Sequence, residues 1–213
     1  VEEIYDEISV RTNQDPRLRQ SSSVDTTNKI PENLPEMVKD LLLHLTLKIV
    51  HKSDDGIISI SDVDGEDDLL THIKEEFEHI WGKYATDRLA EVDNVLGTKS
   101  AAEEAYPNLR TWLKRDLFDY HVSKFERTPI LWRFTTERLV SDSKGEGFGC
   151  LVDYHQLDEG IFDRLQNHYL EPRKNLLRER RSAANRRRSN DSLSASEQAE
   201  AAEEYARCES GLE

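Results

Sequence analysis

Only one stretch of this 213-residue chain alternates with the period of a well-formed β-strand pair, and helical spacing flanks it on both sides. Ile130, Trp132 and Phe134 alternate with Leu131, Arg133 and Thr135. Phe148, Cys150, Val152 and Tyr154 alternate with Gly149, Leu151, Asp153 and His155. The link at 141–147 is polar and carries glycine, so an antiparallel hairpin at about 130–155 is the simplest arrangement. Elsewhere apolar residues recur every three or four positions. Met37, Leu41, Leu42, His44, Leu45, Leu47 and Val50 predict a helix over 35–52. Leu69, Leu70, Ile73, Phe77, Ile80 and Trp81 continue the pattern, and Tyr84, Leu89, Val92 and Leu96 carry it to Gly97. Leu109, Trp112, Leu113, Leu117, Tyr120 and His121 predict one helix over 107–124, and Ile161, Phe162, Leu165 and Tyr169 another over 157–170. A turn signal at Asp54-Asp55-Gly56 leads to a candidate short strand at 57–60. The expected fold class is mainly α with a small antiparallel β-hairpin (α+β), a helical body finished by a polar C-terminal helical pair.

Three segments follow from the composition shifts. Residues 1–30 read as the end of a preceding helix and a flexible linker, because 11–28 is polar and unpatterned. Residues 31–172 read as a helical domain with the hairpin embedded in it. Residues 173–213 read as a basic, then acidic, helical extension, with Pro172 starting the basic helix and a serine capping an Ala/Glu-rich helix at 194–207. Hydrophobic residues make up 36% and charged residues 34%, so the core is modest for this length. No apolar run reaches the length of a membrane span, so no membrane partner is expected. Cys150 and Cys208 lack metal-ligand spacing and suit a reducing, cytoplasmic setting; Cys150 reads as a small core hydrophobe.

The net charge is −14, which opposes phosphate binding by the chain as a whole. The acid is spread along the sequence and Arg (18) outnumbers Lys (11), as in proteins of salt-adapted organisms such as halophilic archaea. The basic residues are concentrated. Segment 173–188 holds Arg173, Lys174, Arg178, Arg180, Arg181, Arg186, Arg187 and Arg188 against Glu179, a net +7, which leaves −21 elsewhere. Arg178, Arg180, Arg181, Arg186, Arg187 and Arg188 are therefore the DNA-contact candidates, with Arg178, Arg181 and Arg188 near one helix face and Arg180 and Arg187 on its neighbour. The competing expectation is that Glu197, Glu200, Glu203 and Glu204 neutralise the tract by antiparallel helix pairing.

Other motifs carry less chemistry. Gly145, Gly147 and Gly149 open a strand rather than a helix, so they lack the geometry of a phosphate loop. Asp62, Asp64, Asp67 and Asp68 place glycine too early for a calcium loop and read as a solvated acidic loop. Two Asp-Tyr-His triplets, 119–121 and 153–155, could orient imidazoles toward a metal, yet three converging ligands cannot be named. Structural histidines are the expectation for His121 and His155, and no metal site is assigned. Pro129 is expected to end the preceding helix and launch the strand, and Trp132 is expected to be a large buried anchor.

Segment 117–172 adds a resemblance. Leu117, Phe118, His121, Phe125, Arg127, Pro129, Ile130 and Trp132, then Tyr154 and His155, then Tyr169, Leu170 and Pro172, follow a run of the form F-F-x-x-H-x-x-x-Y/F-x-x-R/T-P-I-x-W, a strand ending in Tyr-His, and a Tyr-Leu-x-Pro segment. This resembles the region downstream of the catalytic domain in adenine-specific DNA methyltransferases of the BREX (PglX-like) phage-defence type. The resemblance covers about 109–181. It implies a site-specific, S-adenosylmethionine-dependent parent enzyme, DNA as its partner, a catalytic methyltransferase domain in cis and other phage-defence subunits as further partners. It makes His121, Arg127, Pro129, Trp132, Tyr154, His155, Tyr169 and Pro172 motif positions with structural roles. Neither the Asn-Pro-Pro-Tyr motif that holds a flipped adenine nor a cofactor loop occurs here. No catalytic or cofactor-binding residue carries over, and the expected role is a non-catalytic scaffold that grips DNA. The alternative is a protein-interaction module docking other defence subunits.

Overall fold

A computed structural model describes residues 33–60, 67–99, 105–126, 128, 130–136 and 147–212. The chain is mainly helical with one small three-stranded antiparallel sheet, as expected from the sequence. It divides into two compact units, 1–133 with 151–156, and 134–150 with 157–213. No helix among the described residues is long and apolar enough to cross a membrane.

In the first unit, α1 (Leu34–Lys52) is the central helix. Leu34, Met37, Val38, Leu41, Leu42, Leu43, Leu45, Ile49 and Val50 are all buried, as befits a helix that is apolar nearly all round. Its two fully buried polar groups are satisfied. Thr46 Oγ1 donates to the Leu42 carbonyl at 2.8 Å. Asp40 accepts from the Tyr120 hydroxyl at 2.6 Å and pairs with Lys124 Nζ at 3.0 Å. Burial works against the charge on Lys124, but bonding to Asp40 and Glu36 outweighs it and holds the ammonium above its ordinary range. The turn after α1 needs Gly56, whose φ is +70° and whose added Cβ would lie 2.7 Å from Gln156.

Strand β1 (Ile57–Ile60) follows. Helix α2 (Leu69–Trp81) starts at Asp68, which accepts from the Thr71 backbone N–H at 3.0 Å and forms a buried ion pair with Arg110. Asp62 and Asp64 lie outside the described residues, whereas Asp68 acts as a helix cap. Helix α3 (Ala85–Leu96) ends at Gly97. There an added Cβ would meet Asn108 Oδ1 at 2.4 Å. Asn108 is held in turn by the buried Asp93 at 2.9 Å.

The single helix expected over 107–124 is two, α4 (Pro107–Arg115) and α5 (Leu117–Phe125). Buried positions 109, 113, 117, 121 and 125 recur every four residues. On a straight helix of 3.6 residues per turn that stripe would wind away from the core. The break at Asp116 re-aims it. Helix α5 ends at Glu126, in a left-handed conformation with φ +45°.

Strands β2 (Leu131–Thr135) and β3 (Gly149–Asp153) pair as expected, but the sheet order is β1-β3-β2. The hairpin therefore carries a third strand, and β3 is central. This explains why all five β3 residues are buried rather than alternating. Hydrogen bonds from Thr136 N–H to the Phe148 carbonyl and from Tyr154 N–H to the Ile130 carbonyl set the register, with Trp132 opposite Val152.

In the second unit the expected helix 157–170 begins only at Ile161. Asp158 accepts from the Gly160 N–H at 2.9 Å and pairs with Arg164 ahead of α6 (Ile161–Arg164). A π-helical turn spans Leu165–Leu170 and runs directly into α7 (Glu171–Arg188). Pro172 therefore does not start a separate helix. Its ring would strike the carbonyl four residues back in a regular α-helix. The wider turn, with the Glu171 N–H bonded to the Gln166 carbonyl, lets the helix continue past it. Phe162, expected on the apolar side, is 66% exposed and packs edge-to-face with Phe134, at 5.9 Å between ring centres. Helix α8 (Ala195–Ser210) completes the unit. Its Ser194 cap, expected from the sequence, forms a reciprocal capping box with Glu197.

Candidate nucleic-acid interface

The basic tract lies on α7, which folds back against α8. Positions 173, 177, 180, 184 and 187 recur at intervals of four and three, the spacing of a helix-pairing seam. Leu177 and Ala184 are buried on it, as are Ala201 and Cys208 on α8. The seam also takes arginines. Arg173 is buried, Arg180 half-buried, and the Arg187 guanidinium forms an ion pair with Glu204. Apolar residues are too small and few here to fill the seam, so arginine stems supply part of the packing.

Antiparallel pairing thus uses Arg187 internally through one of the four glutamates that the sequence singled out. Glu197 is instead committed to the Ser194 cap, whose side-chain and backbone hydrogen bonds hold it below the usual carboxylate range. Glu200 and Glu203 are exposed.

A second row is turned outward. Lys174, Arg178, Arg181 and Arg188 share the flank beside the seam and are half-buried or exposed, while Arg186 is exposed one step further round. Arg178 is braced by Asn175 Oδ1 at 2.9 Å and Arg188 by Asn185 Oδ1 at 2.9 Å. The Arg188 guanidinium also lies 3.8 Å above the Tyr205 ring centre, a cation–π contact that restricts its rotamers. These bonds leave the guanidinium charges unneutralised. Lys174 pairs with Glu171 at 3.0 Å, so the arginines from 178 to 188 span about 15 Å at ~1.5 Å per residue. Leu176, Glu179, Arg180, Ala183 and Arg186 line a shallow open depression on α7. The four-three recurrence at 173–187 is the sequence signal of the seam, whereas the place of Tyr205 over Arg188 is set by the helix pairing.

The motif residues fall into separate settings. His121 is fully buried, and its Nε2 accepts from the N–H groups of Ile130 at 3.1 Å and Leu131 at 3.2 Å. It ties α5 to the start of β2. Burial pushes its pKa down to about 4, so the ring is neutral and carries its proton on Nδ1. Arg127 and Pro129 lie outside the described residues. Tyr169 is half-buried in the π-helical turn and Pro172 is exposed.

Trp132 corrects an expectation. It is 45% exposed, and Leu131 (1%) is the β2 residue that enters the core. Strand β2 is an edge strand, and the face that carries Leu131 and Leu151 is the one built into the hydrophobic cluster. Trp132 points to the other face. Its ring stacks with Tyr154, itself 51% exposed. His155 is exposed as well and packs edge-on to Tyr154.

The two Asp-Tyr-His triplets do not converge on one site. Asp119 is exposed while His121 is internal. Asp153 is buried and bonds to His51 Nδ1 at 3.0 Å, the His155 backbone N–H at 2.9 Å and Gln156 at 3.3 Å. Burial raises the Asp153 pKa, but these bonds outweigh it and leave the carboxyl below its usual range. Among the described residues, no group of three or more His, Cys, Asp or Glu side chains could hold a metal ion. Gly147 and Gly149 lead into β3 rather than into a helix. Cys150 and Cys208 are buried thiols, not joined in a disulfide. Compared with known proteins, the chain matches no family model and no curated sequence.

Proposed function

We propose that this chain is a non-catalytic scaffold segment of an adenine-specific DNA methyltransferase of the restriction-modification or phage-defence kind, and that it grips the DNA backbone through the outer flank of α7. The observation that supports the reading is the sorting of arginines on that helix. Arg173 is buried and Arg187 is paired with Glu204, whereas Arg178, Arg186 and Arg188 are exposed and Arg181 is half-buried, none of these four paired with a carboxylate of a described residue. Guanidiniums at such intervals bind phosphates without reading sequence. The catalytic domain and the S-adenosylmethionine site belong to the rest of the parent enzyme in this reading, and the setting is cytoplasmic.

A second reading is favoured by the exposed Glu200 and Glu203 on α8. They oppose phosphate and would suit docking of another defence-system subunit. Duplex-DNA binding measured at several salt concentrations separates the two. For DNA contact, replacing Arg178, Arg181 and Arg186 by Ala weakens binding to all sequences alike and lowers the salt slope by about one per lost phosphate contact. Unchanged affinity and slope would return the row to protein docking.

A further inference from the structure

Stacking aromatics are seldom left in water on a rigid strand pair, because roughly half of each ring's hydrophobic gain is then forgone. Trp132 and Tyr154 are in that position. Their rings lie 6.4 Å apart between centres and within 20° of parallel, so both present flat faces in nearly the same orientation. The backbone beneath them is held. Tyr154 N–H donates to the Ile130 carbonyl and Asp153 N–H to the Gly56 carbonyl, each at 2.8 Å. Asp153 then takes the His155 backbone N–H. Ring positions are therefore set before any ligand arrives, which lowers the entropy lost on binding.

The polar atoms of the pair are uncommitted. Neither the Trp132 indole N–H nor the Tyr154 hydroxyl bonds to a described residue. The exposed His155 packs edge-on against Tyr154 and adds a polar ring beside the pair. The large exposed apolar side chains among the described residues are Tyr84, Val122, Trp132, Tyr154 and Phe162, of which Val122 alone is aliphatic. A protein partner would call for a broader apolar patch around the anchor. Two parallel π-faces with donor groups at the edge match a flat heteroaromatic ring instead.

We propose that Trp132 and Tyr154 form a stacking platform for an unpaired nucleobase of single-stranded DNA. The assignment rests on the reading of the chain as a DNA-gripping segment and adds a ligand class to it. Base–aromatic stacking is tolerant of sequence because every base has a π-face, so the platform would hold an extruded or unwound nucleotide without selecting its identity.

The test compares the 1–213 chain binding a short fluorescein-labelled oligo-dT strand and an abasic strand of the same length, by anisotropy at one salt concentration. Both strands carry the same phosphates, so any contribution from the α7 arginines cancels in the ratio. Failure of the arginine experiment therefore leaves this one readable. The expected preference for the base-bearing strand is about 5- to 150-fold, the equivalent of ~1–3 kcal/mol per stacked base. Trp132→Ala and Tyr154→Ala each remove most of it, while Tyr154→Phe, which keeps the ring, retains most of it. Equal binding of the two strands overturns the proposal. So does a preference that survives both alanine variants when their circular-dichroism melts match the parent chain.

Discussion

Replacing His121 should change both the stability of the fold and its dependence on pH, in amounts that follow from one buried ring. His121 is the acceptor for two backbone N–H groups at the start of β2, of which that of Leu131 is buried. His121→Leu keeps the ring's bulk but leaves those donors without their acceptor. A buried donor left unpaired costs about 1–3 kcal/mol, and the partly exposed one at Ile130 less, so the expected loss is about 2–4 kcal/mol. His121→Gln can retain an acceptor and should lose less. The pH effect is separate. Burial holds the folded pKa at about 4, below the ordinary value of 6.5. Between those values the unfolded chain takes up a proton that the folded chain refuses. Stability from the neutral ring is thus fully present above about pH 6.5 and falls as pH drops toward 4. At about 1.4 kcal/mol per pH unit the whole contribution is ~3 kcal/mol, and about 2 kcal/mol of it is gone by pH 5. Urea unfolding of wild type and His121→Gln at pH 5 and 7.5 measures this. The other titrating groups, Asp153 and Glu36 included, are common to both proteins and cancel in the difference. If the two proteins lose stability equally between pH 7.5 and 5, the neutral, backbone-bonded His121 is wrong.

Two further changes probe the packing. Trp132→Ala should cost only about 1 kcal/mol in thermal or urea unfolding, because nearly half of the residue's surface is already in water, and a loss of 3 kcal/mol or more would return the ring to the core. Ser194→Ala removes the hydroxyl that accepts from the Glu197 backbone N–H, while the Ser194 backbone N–H can still donate to the Glu197 carboxylate; it should cost about 1 kcal/mol, read as a lower helical circular-dichroism signal from the 1–213 chain on mild heating, and an unchanged melt would show that the α7–α8 pairing holds the helix without its cap.

Periodicity was enough to place most of the helical segments, though not their breaks, because each must bury one stripe and the stripe is written in local spacing. Leu69 to Phe77 and the Ser194 cap were legible in this way, as was the β2–β3 pairing from its alternation and polar link. The mainly α character with a small antiparallel sheet followed. What local spacing could not decide was which side of a strand faces inward and what lies beside it. Trp132 and Leu131 are both apolar neighbours on an edge strand, and only the helical packing against Leu151 selected Leu131 for the core. The third strand at 57–60 was too short to announce its partner, and its place beside β3 depends on contacts nearly a hundred positions away. The break at Asp116 and the π-helical turn before Pro172 likewise answer to packing and to a proline ring met in three dimensions. For the basic tract, sequence set the number of charges and their order along the helix. The partner helix determined which arginines are spent on the seam with Glu204 and which remain at the surface, because a charge already bonded within the fold is no longer available to a ligand.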